Sequence, residues 1–368
     1  MIRLRRGVVT ALGEARPGAH ELEVALQGTH QLARAIAYPS LVGPVTAGDE
    51  VLLNTTAVEL GLGTGGVHFV LAVLRSAEQP ADDDLPGRVM KARYTPVQTA
   101  VASVEESHAG RLEASPGLEG LPVVCAPLHS MLAPIAAGAK AAGVGVRVVY
   151  VMTDGAALAG PFSRLIVDLR DAGLLDGWIT CGQAFGGELE AVTVWTGMLA
   201  AKEVLNADVI AVADGPGNLG TETTWGVSAL SSGNALNAAA VLGGRPIPAL
   251  RVSFADRRAR HRGVSHHSLT ILSKVCLVET NIAVPALEDD VNREAVWAAL
   301  REAKLEERHQ LVEVAGRPAL DELSRRRVEV RTMGRSVDDD PEFFLAAGAA
   351  GVLAGRMAAG NRRWRSTP

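Results

Sequence analysis

Three glycine-rich segments hold many of the residues in this chain most able to do chemistry. They are Thr153-Asp154-Gly155, Cys181-Gly182-Gln183-Ala184-Phe185-Gly186-Gly187 and Asp214-Gly215-Pro216-Gly217-Asn218-Leu219-Gly220-Thr221. Each follows an apolar run of strand length, so in a parallel sheet all three lie on the carboxyl edge, where open α/β folds bind ligands. The third spells GxGxxG through Gly215, Gly217 and Gly220. Thr221-Glu222-Thr223-Thr224 delays the helix that a dinucleotide fingerprint begins at once, and no partner acidic residue stands at the usual spacing. What remains is anion binding. Gly182, Gly186, Gly187, Gly215, Gly217 and Gly220 let backbone amides approach a phosphate or carboxylate, with the hydroxyls of Thr221 and Thr223 beside them. The bland reading of the same residues is turns and helix caps.

Asp154 and Asp214 each end a strand before a glycine, where a carboxylate can act as a base, accept from ribose hydroxyls or hold a divalent metal. His129, in Pro127-Leu128-His129-Ser130, follows the first strand of the same series, as an edge residue or as a capping or core histidine. Cys181 occupies the equivalent place in its loop, but no histidine neighbours it in sequence, and an inert buried thiol is the expectation. The other concentration is Arg257 to Ser268, with four arginines and the histidines His261, His266 and His267. Arg260, His261 and Arg262 in this stretch can clamp a polyanion. The histidine spacing is neither that of a helical HExxH site nor of a zinc ribbon, so it names no particular metal. A solvated basic loop is the alternative. The expected catalytic set is therefore Asp154, Asp214, His129, His266 and His267, with Asp214 facing the histidine pair across one crevice.

These loops need elements to position them. From Met1 to about Leu74 the pattern has period two, as in Leu22, Val24 and Leu26, which predicts a small antiparallel β-barrel-like module over residues 1–80. The Pro- and Asp-rich stretch Glu78 to Gly87 breaks the pattern, and a linker is expected over 81–95. Beyond it, over 96–368, apolar strand runs alternate with helix-length segments. Helices are expected near Leu132–Ala142, Phe162–Ala172 and Glu188–Leu205, with late strands at Pro248–Phe254, Lys274–Thr280, Gln310–Val314 and Val328–Thr332. Such alternation predicts right-handed crossovers and a three-layer α/β/α domain on a mostly parallel sheet. The apolar run Phe343–Gly355 is too short and too rich in Gly and Ala for a membrane span, and reads as a packed helix.

Composition bounds the rest. The chain has 368 residues, 48% of them hydrophobic and only 4% aromatic, which suits helices packed closely on a sheet. A formal net charge of -5 gives no global attraction to nucleic acid or anionic lipid. Three scattered cysteines and the absence of a leader-like apolar region point to a reduced, cytoplasmic protein. The motifs Pro127-Leu128-His129-Ser130, Thr153-Asp154-Gly155-Ala156, Gly215 to Thr221, Arg262-Gly263-Val264-Ser265-His266-His267, Gly61 to Gly66 and Thr332-Met333-Gly334-Arg335 together resemble an uncharacterised bacterial family, a domain of unknown function. The resemblance spans nearly the whole chain and implies no activity, cofactor or catalytic residue. From the residues themselves, the expected function is an enzyme, a hydrolase or transferase, acting on a phosphorylated or nucleotide-like small molecule. The alternatives are a non-catalytic sensor of such a ligand, or an assembly protein working through its β-module or C-terminal helix. The expected partner is an anionic small molecule rather than nucleic acid or membrane, and a homo-oligomer is compatible with the sequence.

Overall fold

The computed structural model describes residues 2–29, 31–62, 65–74 and 86–365, which form two compact units, Met1–Ala102 and Ser103–Pro368. Most of the expected break at Glu78–Gly87 lies outside the described residues.

The first unit is built on a closed five-stranded barrel of β1 (Leu4–Arg16), β2 (Ala19–Leu26), β3 (Leu32–Ala37), β4 (Glu50–Asn54) and β5 (His68–Val73), in the order β1-β2-β3-β5-β4. Period-two patterning accounts for it: Leu22, Val24 and Leu26 on β2 all point inward with Val9, Val51, Leu53 and Val70. Closure removes free strand edges, which a small sheet could not otherwise protect. A short antiparallel pair, β6 (Val89–Lys91) and β7 (Thr99–Val101), belongs to this unit. The stretch 86–101 is thus partly structured, and the second unit begins at Ser103.

The second unit carries a six-stranded parallel sheet of β8 (Pro122–Cys125), β9 (Val148–Thr153), β10 (Gly177–Cys181), β11 (Leu189–Ala191), β12 (Val209–Asp214) and β13 (Arg245–Pro248), in the order β11-β10-β9-β12-β8-β13. Its strands are largely apolar because both faces are covered. On β9, Val148, Tyr150 and Met152 enter one core while Val149 and Val151 enter the other. The helices α1 (Leu132–Ala142), α2 (Arg164–Asp171), α3 (Val194–Glu203), α4 (Ser231–Val241), α5 (His266–Thr270), α6 (Asp290–Glu302), α7 (Arg317–Arg325) and α8 (Pro341–Arg365) follow in chain order. Residues of α1, α2, α7 and α8 cover the first face, and those of α3, α4 and α6 the second. The abundance of Gly and Ala is explained where α1 meets α8. A methyl on Gly351 would run into the Ile135 carbonyl, and one on Gly138 would stand 2.5 Å from the Gly348 carbonyl oxygen, so the two backbones touch. The span Pro341–Gly360 of α8 is long and apolar enough to cross a membrane by composition, yet 72% of that window is buried within the fold.

Several late elements differ from expectation. Pro248–Phe254 holds only the end of β13 and a two-residue strand, β14 (Val252–Ser253), paired antiparallel with β15 (Gly263–Val264). Lys274–Thr280 is not a strand: Ile271–Val275 is a π-helical turn, and the strand is β16 (Asn281–Pro285), which pairs in parallel with β17 (Gln310–Val314) outside the main sheet. Val328–Thr332 makes no strand, only an isolated bridge from Thr332 to Arg335. The expected helix at Glu188–Leu205 begins at Val194, because Leu189–Ala191 is β11 and Thr193 caps the helix by accepting from the Thr196 amide. Short apolar runs fit either period, and tertiary packing chose between them.

Candidate functional site

The carboxyl edge of the parallel sheet borders a cavity of about 1020 Å³. Its walls come from the loops after β8 (Pro127–Ser130) and β12 (Pro216–Thr221), the start of α2, the segment after β13 including Arg251 and Arg258–His261, and residues 329–333. Five arginines, Arg164, Arg251, Arg258, Arg260 and Arg331, and two carboxylates, Asp168 and Glu329, border it. The volume is at the upper end of the roughly 300–1,000 Å³ usual for small-molecule sites. A second cavity of about 420 Å³, bordered by Arg111, Glu119, Lys202 and Asp208, contains none of the residues singled out from the sequence.

His129 is the sequence candidate with the most telling surroundings. It is 7% exposed, lines the cavity, and its Nε2 stands 2.7 Å from the Oγ of Ser163. Its Nδ1 lies 3.2 Å from the Tyr150 hydroxyl, which in turn donates to the Asp214 carbonyl at 3.0 Å. A hydroxyl whose proton is spent on a carbonyl can only accept, so Nδ1 carries the imidazole proton and Nε2 accepts from Ser163. Burial pushes the pKa of His129 down to about 4, opposed in part by the Asp214 backbone, and the ring is neutral at physiological pH. Ser163 immediately precedes α2 but its hydroxyl caps no helix amide; it is committed to His129.

The basic loop is organised by one carboxylate. Asp256, 5% exposed, accepts from Arg251 at 3.0 Å and from Arg258 at 2.8 Å, and the Arg258 hydrogen bonds hold its carboxyl well below the usual range. Arg251 is itself buried, which pulls its pKa down to about 10. Arg260 reaches the exposed Glu222 at 3.2 Å. The antiparallel β14–β15 pair turns the chain back, so that His261 packs on His266 and His267 with ring centroids 5.1 and 4.9 Å away. Burial, with Arg251 and Arg258 second, pushes the pKa of His261 down to about 3; burial, with His266 second and the arginines after it, pushes that of His267 down to about 4.

Among the expected residues, the cavity gathers His129, Gly217, Gly220, Thr221, Arg260, His261 and His267. His266 touches this group through His267, at 4.0 Å between ring centroids, without lining the cavity. The strand-end aspartates do not line it either. Both Asp214 oxygens are occupied, by Thr153 Oγ1 at 2.6 Å, the Gly155 amide at 3.1 Å, Asn218 Nδ2 at 3.3 Å and Ser231 Oγ at 2.8 Å. Burial raises its pKa against those hydrogen bonds. Asp154 accepts from the Gln183 amide at 2.8 Å, and so ties one strand-end loop to the next. The amide of Gly186 donates to Glu190 on β11 and that of Gly187 to Thr180 on β10, so these donors are spent on the flanking strands, and Gly182 lies beneath the Asp154 carboxylate. Gly215 packs on Met152 and Ala157. Past Gly217 the glycine loop does not open a helix: Gly220 bridges to Val227 as a small hairpin, Thr221 and Thr223 hydrogen-bond across it, and α4 starts only at Ser231. Arg262 is exposed and Cys181 is buried.

Sequence reasoning missed Ser163, Arg251, Arg331 and Thr332 as cavity residues. Ser163 carried one local signal, a serine directly before a helix, and that signal points to capping. No curated protein and no solved structure matches the chain. A family model described as "Protein of unknown function (DUF3866)" matches residues 34–351, most of the chain, and the protein belongs to that family.

Proposed function

We propose that this chain is a cytoplasmic enzyme that takes a phosphorylated or nucleotide-like small molecule into the carboxyl-edge cavity and cleaves or transfers its phosphoryl group. The observation that carries the reading is the excess of guanidinium over carboxylate in a cavity that also holds the Ser163–His129 pair. Guanidinium groups pair with phosphate oxygens through forked hydrogen bonds, and a cavity of one sign of charge concentrates the oppositely charged ligand. The Ser163 hydroxyl gives its proton to His129 Nε2 as Oγ bonds to phosphorus. The bond from phosphorus to the leaving oxygen breaks, and that oxygen takes the proton from His129. Water gives a proton to the same nitrogen as its oxygen bonds to phosphorus, the bond from phosphorus to Ser163 Oγ breaks, and Oγ takes that proton back from His129 as phosphate leaves; a second substrate's hydroxyl in place of water makes the reaction a transfer. An anion beside His129 favours its protonated form, which raises its basicity once the cavity is filled.

The test is a thermal-shift screen with inorganic phosphate, pyrophosphate and nucleoside mono- and diphosphates. A ligand at one hundred times its Kd stabilises the fold by about 2.7 kcal/mol, a rise of a few degrees for a domain of this size. Arg258→Ala should abolish the rise. No response to any of these anions would refute the reading. Where a substrate is found, Ser163→Ala should bind it and lose turnover by about a hundredfold or more. Binding with no turnover by the unmodified chain would instead mark a ligand sensor.

A further inference from the structure

Beside the anion cavity, His261, His266 and His267 each offer one ring nitrogen, and the three atoms lie within 4.8 Å of one another. We propose that these three imidazoles bind a single divalent transition-metal ion of the borderline class, zinc or its close neighbours.

The local sequence builds the cluster. Ser265 caps α5 by accepting from the His267 amide at 3.3 Å, and its Oγ lies 2.8 Å from His261 Nδ1. A proton on His261 Nδ1, donated to Ser265, leaves Nε2 as the free ligand atom and fixes the ring, the arrangement that metal-binding histidines use. The other two rings are held side by side at the start of the helix.

The second observation is unmet polarity. His267 is 6% exposed, and its Nε2, like that of His266, is buried with no hydrogen-bond partner among the described residues. A buried polar atom left unpaired is costly, and two such atoms in adjacent rings are unusual unless something binds them. A metal ion satisfies both at once.

The donor chemistry selects the ion. Three neutral nitrogens with no carboxylate suit zinc, cobalt, nickel or copper, and do not suit magnesium or calcium, which require oxygen ligands. Nitrogens around one tetrahedral zinc lie roughly 3.3 Å apart, given zinc–nitrogen bonds of about 2.0–2.1 Å. The cluster must therefore contract somewhat on loading, and the half-buried His266 ring is the one with room to move. Three protein ligands leave a position open for water or an anion. The surrounding guanidiniums of Arg251 and Arg258 share Asp256, and Arg260 reaches Glu222, which offsets part of their repulsion toward a cation.

The site stands independently of the anion-binding reading, because its test uses the metal alone. The full-length chain, stripped with chelator, is titrated with Co²⁺. The expected result is one equivalent bound with visible d–d absorption, displaced by one equivalent of Zn²⁺, while Mg²⁺ neither binds nor competes. His266→Gln should lower Co²⁺ affinity by about tenfold or more and keep a cooperative melt. His267→Gln should do the same; if that buried substitution unfolds the chain, the wild-type spectrum and His266→Gln decide. Absence of d–d absorption, or cobalt binding that His266→Gln leaves unchanged, overturns the proposal.

Discussion

Replacing His129 with glutamine should make the fold less sensitive to acid by an amount the structure sets. In the unfolded chain this imidazole titrates near 6.5, and in the fold, burial pushes its pKa down to about 4. A histidine depressed in this way contributes its full stability above the unfolded value, and that contribution is lost as pH falls through the folded value. The gap between 6.5 and about 4 is worth about 3.4 kcal/mol in total. About 2 kcal/mol of it is lost by pH 5 and about 3 kcal/mol by pH 4. Glutamine does not titrate, and its amide oxygen can still accept from Ser163. Urea unfolding of both proteins at pH 7.5 and pH 5 isolates the effect, since the other histidines, including the depressed His261 and His267, are common to both. The stability advantage of the wild type should shrink by about 2 kcal/mol between these pH values. The His129 ring signals in NMR should remain those of the neutral form at pH 5.5. A constant difference between the two proteins, or a ring that titrates near 6.5, would refute the reasoning. It would mean that His129 is hydrated and is not the held, neutral acceptor of the Ser163 proton.

Other expectations follow from the same contacts. Asp256→Ala leaves the buried Arg251 without its carboxylate and should cost about 3–5 kcal/mol in chemical denaturation; a loss under 1 kcal/mol would mean that solvent reaches that guanidinium. Gly351→Ala pushes a methyl into the Ile135 carbonyl where α1 and α8 touch, and should lower the melting temperature by an amount reflecting about 1–3 kcal/mol. In the glycine loop, Gly220→Ala meets only ordinary contacts, at 3.6 Å from His267 and 3.7 Å from Val227, and should melt like the wild type. Gly217→Ala sits at a φ of +91° and should cost about 1–2 kcal/mol, although the space around it is open. Equal stability of these two variants would show that the loop conformation is not the one described.

Local pattern determined much of this architecture by itself. Period-two alternation in the first seventy residues marked the barrel, because a strand with one buried face writes that period into its sequence. The runs Val148–Thr153 and Val209–Asp214, apolar at nearly every position, marked a sheet covered on both sides, and the loops after them had to share an edge once the strands were parallel. The dense arginine and histidine segment also proved compact in space, since Arg260, His261 and His267 are too near in sequence to be carried far apart.

Tertiary structure alone decided how those residues are used. Asp214 looked available for chemistry at a strand end, yet four donors from two other segments and its own loop occupy its oxygens. Ser163 looked like a helix cap, yet crossover geometry set it against His129, 34 positions earlier in the chain. Cys276, in the stretch expected as a strand, lies just beyond a π-helical turn, because an apolar run of that length fits either conformation until its neighbours are placed. A sequence records which side chains avoid water and which backbone angles are cheap, both local properties. Which hydrogen bonds a carboxylate or imidazole has left to offer depends on partners that only the folded chain brings within 3 Å or so.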